Sequence, residues 1–219
     1  MVSLLKVFLI ISAIFASTFV LMNFTNLLTI SDIEHWLNQA TTLSPIYIGG
    51  IIAILLFADL FIAMPTLTIC LLSGYFLGHT QGAIAALSGI LLAGVCGYVI
   101  SRYYGKNILG FLLKDEDKRN DAIRIFQDHG FVMILLSRAM PILPEASACL
   151  SGMTKMPFGQ FFLAWLISSV PYVLIATYAG AISSFENPKP AVFTAIGITT
   201  FLWIAWYVYH RFNKKVSIH

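Results

Sequence analysis

The sequence predicts an all-α polytopic membrane protein. We expect an inverted repeat of two re-entrant helical hairpins, each followed by a transmembrane helix, with further transmembrane helices at the N- and C-terminal ends. Three observations support this fold class. The 219 residues are 58% hydrophobic and 11% charged, with a mean hydropathy of +0.84, whereas soluble domains carry about 25% charged residues. Prolines interrupt two of the apolar segments, and these two segments can be aligned on each other.

Several apolar runs can supply membrane helices, because one span needs about 20 apolar residues. They cover residues 7–22, 46–75, 83–100, 131–143, 161–182 and 192–209. The first run has no small-x-small cleavage site, so we expect a retained anchor helix rather than a removed signal peptide. The predicted organisation is an N-terminal anchor and external loop (1–45), a membrane domain (46–182) and a C-terminal helix with its tail (183–219).

The distribution of lysine and arginine predicts the orientation. These residues are concentrated at 102–124 and again at 211–215, whereas residues 26–45 contain none. Because cytoplasmic loops are enriched in Lys and Arg, we expect the central loop and both termini to be cytoplasmic. With no organelle-targeting segment visible, we expect a bacterial inner membrane.

This orientation requires a hairpin in the first half of the domain. Residues 46–100 are too long for one crossing and awkward for two. A re-entrant hairpin that enters from outside, turns at Met64-Pro65 and leaves near Gly78 resolves the difficulty. A crossing at 81–101 would follow, which closes the first repeat at residues 46–105.

The second half follows the same scheme from the opposite face. Residues 131–153 would enter from the cytoplasm and turn at Pro141–Pro144, and crossings at 158–182 and 191–209 would follow. The second repeat then covers 131–182. An amphipathic cytoplasmic linker at 106–130 would join the two repeats.

The two hairpins can be aligned on each other at several positions. Asp59 precedes Pro65 by six residues, and Arg138 precedes Pro144 by six. Matched pairs after the prolines are Thr68 with Ser147 and Cys70 with Cys149. Pro65, Pro141 and Pro144 are expected to be structural breaks, since proline removes a backbone donor. Broken backbone at membrane depth lines a wet cavity or is buried in protein, and broken helices of an inverted repeat form a binding site.

Three charged residues are the candidates for that site. A charge at a helix centre costs roughly 2.5 to 3.5 kcal/mol on insertion scales, so such residues face inward and find partners. Asp59 and Arg138 are the obvious pair, either as a structural bridge or as a substrate site. Glu145 is then the better candidate for carrying a proton, with Asp59 second, because desolvation favours a neutral carboxyl. Glu145 as a solvated interfacial group is the alternative.

GYVISRYYG at 97–105 and FQDHGFVMILLSRAMPILP at 126–144 resemble the DedA superfamily, also called the VTT-domain or SNARE-associated Golgi protein family. The matching residues are Gly97, Tyr98, Arg102, Gly105 and Gly130, followed by Arg-x-x-Pro. The resemblance covers about residues 46–182. It implies opposed re-entrant hairpins that move lipids between leaflets, with undecaprenyl phosphate linked to bacterial members and glycerophospholipids to eukaryotic relatives. It also implies Asp59 as the first-hairpin acid and Arg138 as the first arginine of the motif.

Two positions depart from the family pattern. Many bacterial members have a second arginine three residues after the motif proline, where this chain has Pro144. They also have an acid just after the first-hairpin proline, where this chain has Thr66 and Leu67. The chain therefore resembles the VTT branch more than the bacterial lipid-phosphate carriers.

The leading hypothesis is a flippase- or scramblase-type translocase for a phosphate-bearing lipid such as a polyisoprenyl phosphate or a glycerophospholipid. Arg138 would bind the headgroup, Glu145 or Asp59 would carry the proton of a proton-coupled mechanism, and hydroxyls would donate hydrogen bonds from Thr66, Thr68, Ser147 and Ser151. The alternatives are a proton-coupled small-solute transporter or channel, and a non-transporting scaffold.

Other classes of function find no support in the residues. The five histidines are scattered, and neither a nucleophile motif nor a phosphate loop is present. We therefore expect no catalytic residues, metal, cofactor or nucleic-acid partner. A ridge of small residues at every fourth position from Ala85 to Gly105 favours packing within the chain, with a homo-oligomer contact left open.

Overall fold

The computed structural model describes residues 44–62, 64–112, 116–138, 143–183 and 189–216, together with Ile10 and Ser17. The described ranges contain the helices α1 Pro45–Ala58, α2 Thr66–Leu112, α3 Glu116–Ser137, α4 Leu143–Met153, α5 Phe158–Ala181 and α6 Lys189–Val216. No β-strand occurs in these ranges, which confirms the predicted all-α class. The predicted N-terminal anchor helix lies outside the described residues.

The first proline break is present, and α1 packs antiparallel to the start of α2. The described residues of 59–65 are non-helical, and α2 begins immediately after Pro65, where the missing N–H costs no helical hydrogen bond. Gly78 has φ 74° and ψ 172°, a conformation that only glycine adopts cheaply. It divides α2 into arms at 66–77 and 79–112. The arms fold back on each other, since the Ser73 hydroxyl donates to the Gly82 carbonyl at 2.8 Å.

Helices α3 and α4 form a second antiparallel pair. The Gln127 amide donates to the Thr154 carbonyl at 3.1 Å, which ties the middle of α3 to the end of α4. Pro144 lies in the first turn of α4, a position that tolerates proline, whereas Pro141 lies outside the described residues. Lys155, with φ 56°, directs the chain from α4 towards α5.

One helix spans the predicted boundary between the linker and the second repeat. Helix α3 runs unbroken from Glu116 to Ser137, and α2 extends to Leu112, so both enter the segment expected to be a separate linker. Gly130 does not break α3. Its missing Cβ makes room for the ring of Phe126, one turn earlier, which is fully buried.

Among the described residues, two helices are long and apolar enough to cross a membrane, namely Thr66–Gly105 and Phe158–Ala181. Because α2 folds back at Gly78, its second arm is the part that corresponds to the predicted crossing at 81–101. Helix α5 coincides with the crossing predicted at 158–182. Helix α6 contains a shorter apolar stretch at Val192–Ala205, within the crossing predicted at 191–209.

Small residues allow the second arm of α2 to approach its neighbours closely. Gly89 lies against Ala53 of α1, and Gly105 lies against Met153 of α4, so that a Cβ on either glycine would overlap its neighbour. All six small residues of the ridge that runs from Ala85 to Gly105 are buried. The predicted packing role of this ridge within the chain is therefore confirmed.

Candidate functional site

The structure brings together the three charged residues singled out by the sequence. Asp59 directly follows α1, Arg138 directly follows α3, and Glu145 lies in the first turn of α4. Asp59 and Glu145 interact electrostatically with each other, and the Arg138 guanidinium acts on both through space. The site therefore forms where the two proline breaks meet.

Asp59 closes the break between α1 and α2. Its Oδ1 accepts a hydrogen bond from the Met64 backbone N–H at 2.7 Å, and its Oδ2 accepts one from the Thr66 hydroxyl at 2.6 Å. The side chain is buried. A buried N–H without a partner is costly, so Asp59 replaces the backbone carbonyl that a continuous helix would have supplied.

The direct ion pair expected between Asp59 and Arg138 is not formed. Among the described side chains, the charged atoms of these two residues make no contact with each other. Both Asp59 oxygens are held within its own loop, and Glu145 acts on Asp59 electrostatically across the break. Arg138 instead turns towards α5, where the Ser169 hydroxyl accepts a hydrogen bond from Nη2 at 2.9 Å. The opposite charges remain electrostatically coupled without touching.

Arg138 lies between two aromatic rings of α5. Its Cζ atom is 5.3 Å from the centroid of the Trp165 ring and 5.2 Å from that of Tyr172, both within the range of cation–π attraction. The Nε atom is buried and has no hydrogen-bond partner among the described residues. A buried guanidinium donor without a partner is costly, and an incoming acceptor would remove that cost.

Sequence analysis did not identify Trp165, Ser169 and Tyr172. Their spacing of i, i+4 and i+7 places them on one face of α5, since residues three or four apart share a helix face. The sequence signal that could have identified them is a serine flanked by two aromatic residues at this spacing inside an apolar span. Pro171 lies on the same helix and removes one backbone donor beside Tyr172.

The carboxyl groups of Asp59 and Glu145 interact electrostatically across the two breaks. Asp59 belongs to the first break, and Glu145 follows Pro144 at the start of α4. A proton on either carboxyl would allow the two groups to share a hydrogen bond, because a carboxylate by itself has only acceptors. Their interaction therefore links the two helix pairs.

Most of the hydroxyls predicted as donors are already engaged. The Thr66 hydroxyl donates to Asp59, that of Ser147 donates to the Pro144 carbonyl at 2.7 Å, and that of Ser151 donates to the Ser147 carbonyl at 2.7 Å. Thr68 makes no side-chain hydrogen bond with the described part of the chain. Of these four residues, Thr68 therefore has the uncommitted hydroxyl.

The other motif residues have packing contacts. Tyr98 donates to the Met156 carbonyl at 2.6 Å, and Arg102 Nη1 donates to both the Tyr98 hydroxyl and that carbonyl. Gly97 packs closely against Leu60. These contacts hold the connection between α4 and α5 against α2. Within the described ranges, no three His, Cys, Asp or Glu side chains are grouped so that they could hold a metal ion.

Residues 64–182, more than half of the chain, match the VTT domain. The chain belongs to the VTT-domain (DedA) family. The match covers both proline breaks, Arg138, Glu145 and the second arm of α2, and begins just after Asp59. It confirms the family indicated by the sequence motifs, and this VTT protein is accordingly a membrane protein.

Three bacterial relatives cover most of this VTT protein. Bacillus subtilis YqeD is 25% identical over 192 residues, 84% of this chain and 88% of its own. The Synechocystis membrane protein slr0232 is 29% identical over 180 residues, 70% of this chain and 78% of its own. Undecaprenyl phosphate transporter A of Bacillus subtilis is 26% identical over 163 residues, 69% of this chain and 76% of its own. No solved structure is significantly similar to the chain.

Proposed function

We propose that this VTT protein is a flippase- or scramblase-type translocase that moves a phosphate-bearing lipid between leaflets, with Arg138 as the charge partner of the headgroup. The observation that carries the proposal is the buried Nε of Arg138, which has no partner among the described residues. Guanidinium donors suit phosphate oxygens. The name of the relative undecaprenyl phosphate transporter A supports the same ligand chemistry.

The proposed mechanism uses two re-entrant hairpins related by an inverted repeat. Gly74 of the first pair packs on the Thr177 carbonyl of α5, and Gly152 of the second pair packs on the Tyr98 carbonyl of α2. Gly152 follows Gly74 by 78 residues, and Thr177 follows Tyr98 by 79. Each helix pair thus meets the long helix of the other half through an equivalent contact. A two-fold relation between repeats would produce this pattern.

By the same relation, the site would lie between the hairpins. Asp59 and Arg138 are also 79 residues apart and stand at equivalent positions of the two breaks. The headgroup would enter beside Arg138, and the tails would stay in the bilayer. Because irregular backbone at membrane depth lines a cavity or is buried in protein, the breaks provide a polar path without exposing backbone to hydrocarbon.

Proton coupling would use the carboxyl pair of Asp59 and Glu145. The two side chains interact electrostatically with each other and with Arg138. A phosphate bound at Arg138 would offset that positive charge, which alters the balance between the charged and protonated forms of the pair. Substrate binding and protonation of the pair would therefore be linked. We further propose the bacterial plasma membrane as the location, with cytoplasmic termini, since the relatives described above are bacterial.

The proposal is tested by lipid exchange between leaflets in proteoliposomes, with and without a pH gradient. We expect exchange to collapse in Arg138→Ala and to lose its pH dependence in Glu145→Gln. Arg124→Ala is the matched control, because it removes the same charge from an exposed position on α3. A folded Arg138→Ala protein that exchanges lipid at the wild-type rate would remove Arg138 from the site. A folded wild type without exchange would overturn lipid translocation and favour the solute or scaffold alternatives.

A further inference from the structure

We propose that Trp165, Ser169 and Tyr172, named here the α5 clamp, are positioning residues that select the phosphate group as the ligand of Arg138. The inference deepens the proposed function and rests on it for the identity of the ligand. The Arg138 side chain is held by two rings and one hydroxyl, all from a single face of α5.

The two rings restrict the directions from which a ligand can approach. A guanidinium is planar, and its hydrogen-bond donors point outwards in that plane. Because the Trp165 and Tyr172 rings both lie within cation–π range of Cζ, the aromatic groups take up room around the cation. The in-plane edges therefore remain the productive approach for a ligand.

Ser169 then decides which donor remains available. It accepts the hydrogen bond from Nη2 at 2.9 Å, and this bond fixes the rotation of the guanidinium in its plane. The buried Nε is left without a partner among the described residues. A hydrogen-bond donor held at a fixed angle matches phosphate oxygens, which accept hydrogen bonds. It cannot bond to an ammonium headgroup, which has hydrogen-bond donors or no hydrogen-bonding group at all.

Tyr172 is the most informative clamp residue to change. Trp165 also donates from its indole nitrogen to the Ile90 carbonyl at 3.2 Å, and its ring fills the space beside Gly94. Its replacement would therefore disturb the packing of α2 and α5 as well. Tyr172 contacts Arg138 through its ring, so Tyr172→Phe keeps the clamp and Tyr172→Leu removes one side of it.

The test measures binding to the full chain in detergent. The probes are a short-chain phosphatidic acid, a short-chain phosphatidic acid methyl ester and inorganic phosphate, and lipid exchange is measured in parallel. We expect Tyr172→Leu to weaken binding of the lipid phosphate by roughly tenfold, the scale of a desolvated cation–π contact. Tyr172→Phe should keep the wild-type affinity. Ser169→Ala should reduce the preference for phosphatidic acid over its methyl ester. Tyr178→Leu, the same change at an exposed position of α5, is the control.

Each outcome decides between the clamp and the proposed function. If wild type binds the lipid and Tyr172→Leu binds it as tightly as Tyr178→Leu does, the clamp is overturned and translocation stands. If the clamp variants behave as expected but wild type exchanges no lipid, translocation fails and the anion site stands. Tighter binding of inorganic phosphate than of lipid would assign the site to free phosphate. Failure of wild type to bind any probe would overturn both.

Discussion

Tyr98 of α2 donates a 2.6 Å hydrogen bond to the backbone carbonyl of Met156, which lies 58 residues later between α4 and α5. The Tyr98 ring stacks on Phe161 at a centroid distance of 4.7 Å. Arg102 adds a hydrogen bond to the Tyr98 hydroxyl. Two residues of the family motif therefore fasten the start of α5 to α2, and through it hold α5 in place beside Arg138.

Tyr98→Phe should destabilise the protein by about 1 kcal/mol, because it removes a buried hydrogen bond while Arg102 still donates to the Met156 carbonyl. The measurement is thermal unfolding of the detergent-solubilised protein. Tyr103→Phe removes a hydroxyl from an exposed ring on the same helix and should leave the unfolding temperature unchanged. Equal unfolding temperatures for the two variants would contradict the role assigned to the Tyr98 hydroxyl.

Gly74→Ala and Gly152→Ala should each destabilise the protein, by roughly 1 to 3 kcal/mol, as overpacking does. In both cases the added methyl group meets a backbone carbonyl of the opposite half, and a carbonyl in a helix cannot move aside as a side chain can. Gly159→Ala, where no atom lies within 4 Å of the added Cβ, is the control. A large loss at one glycine and none at the other would argue against equivalent contacts in the two halves.

Gly78→Ala should cost roughly 1 to 3 kcal/mol although the space around Gly78 is open. The reason is conformational, since φ 74° with ψ 172° is essentially reserved for glycine. Gly50→Ala, in the helical conformation of α1 and also with open space, should be neutral or stabilising because alanine favours helix. Gly78→Ala should therefore lower the unfolding temperature and Gly50→Ala should not, and equal decreases in the two variants would contradict the bend at Gly78.

Thr66→Val should destabilise the protein by about 1 kcal/mol, because the Asp59 carboxyl loses a hydrogen bond of 2.6 Å. Thr68→Val makes the same change two residues later, where the hydroxyl has no partner among the described residues, and should have a smaller effect. A double-mutant cycle of Asp59→Asn with Thr66→Val should give a coupling energy of at least about 0.5 kcal/mol. Additive effects would show that Asp59 does not close the break through Thr66.

Arg138→Lys should lose most of the lipid exchange, although it keeps the positive charge. A lysine ammonium has neither the planar guanidinium that lies over the Trp165 and Tyr172 rings nor a fork of donors. The measurement is the rate of leaflet exchange in proteoliposomes, with Arg124→Lys as the control on the exposed face of α3. Full activity of Arg138→Lys would show that a point charge suffices and that the orientation of the guanidinium is unimportant.

Local features of the sequence were enough to predict the helical class and the positions of the breaks. Hydropathy identified the long apolar helices, and Pro65, Gly78 and Pro144 marked where the helical path is interrupted. These predictions succeed because a proline or a glycine acts on its own stretch of backbone, whatever lies around it. The small-residue ridge of α2 was predictable for a similar reason, since its spacing alone places it on one face.

By itself, the sequence determined an all-helical membrane protein of the VTT family and the three charged residues near its breaks. Only the tertiary structure decided their partners: Asp59 with its own loop and Glu145, and Arg138 with the face of α5 that carries Ser169, 31 residues away. Matched positions suggested that the opposite charges would pair directly. Charge sign and spacing do not show how far each helix is rotated about its axis, and that rotation determines which side chains come within hydrogen-bonding distance.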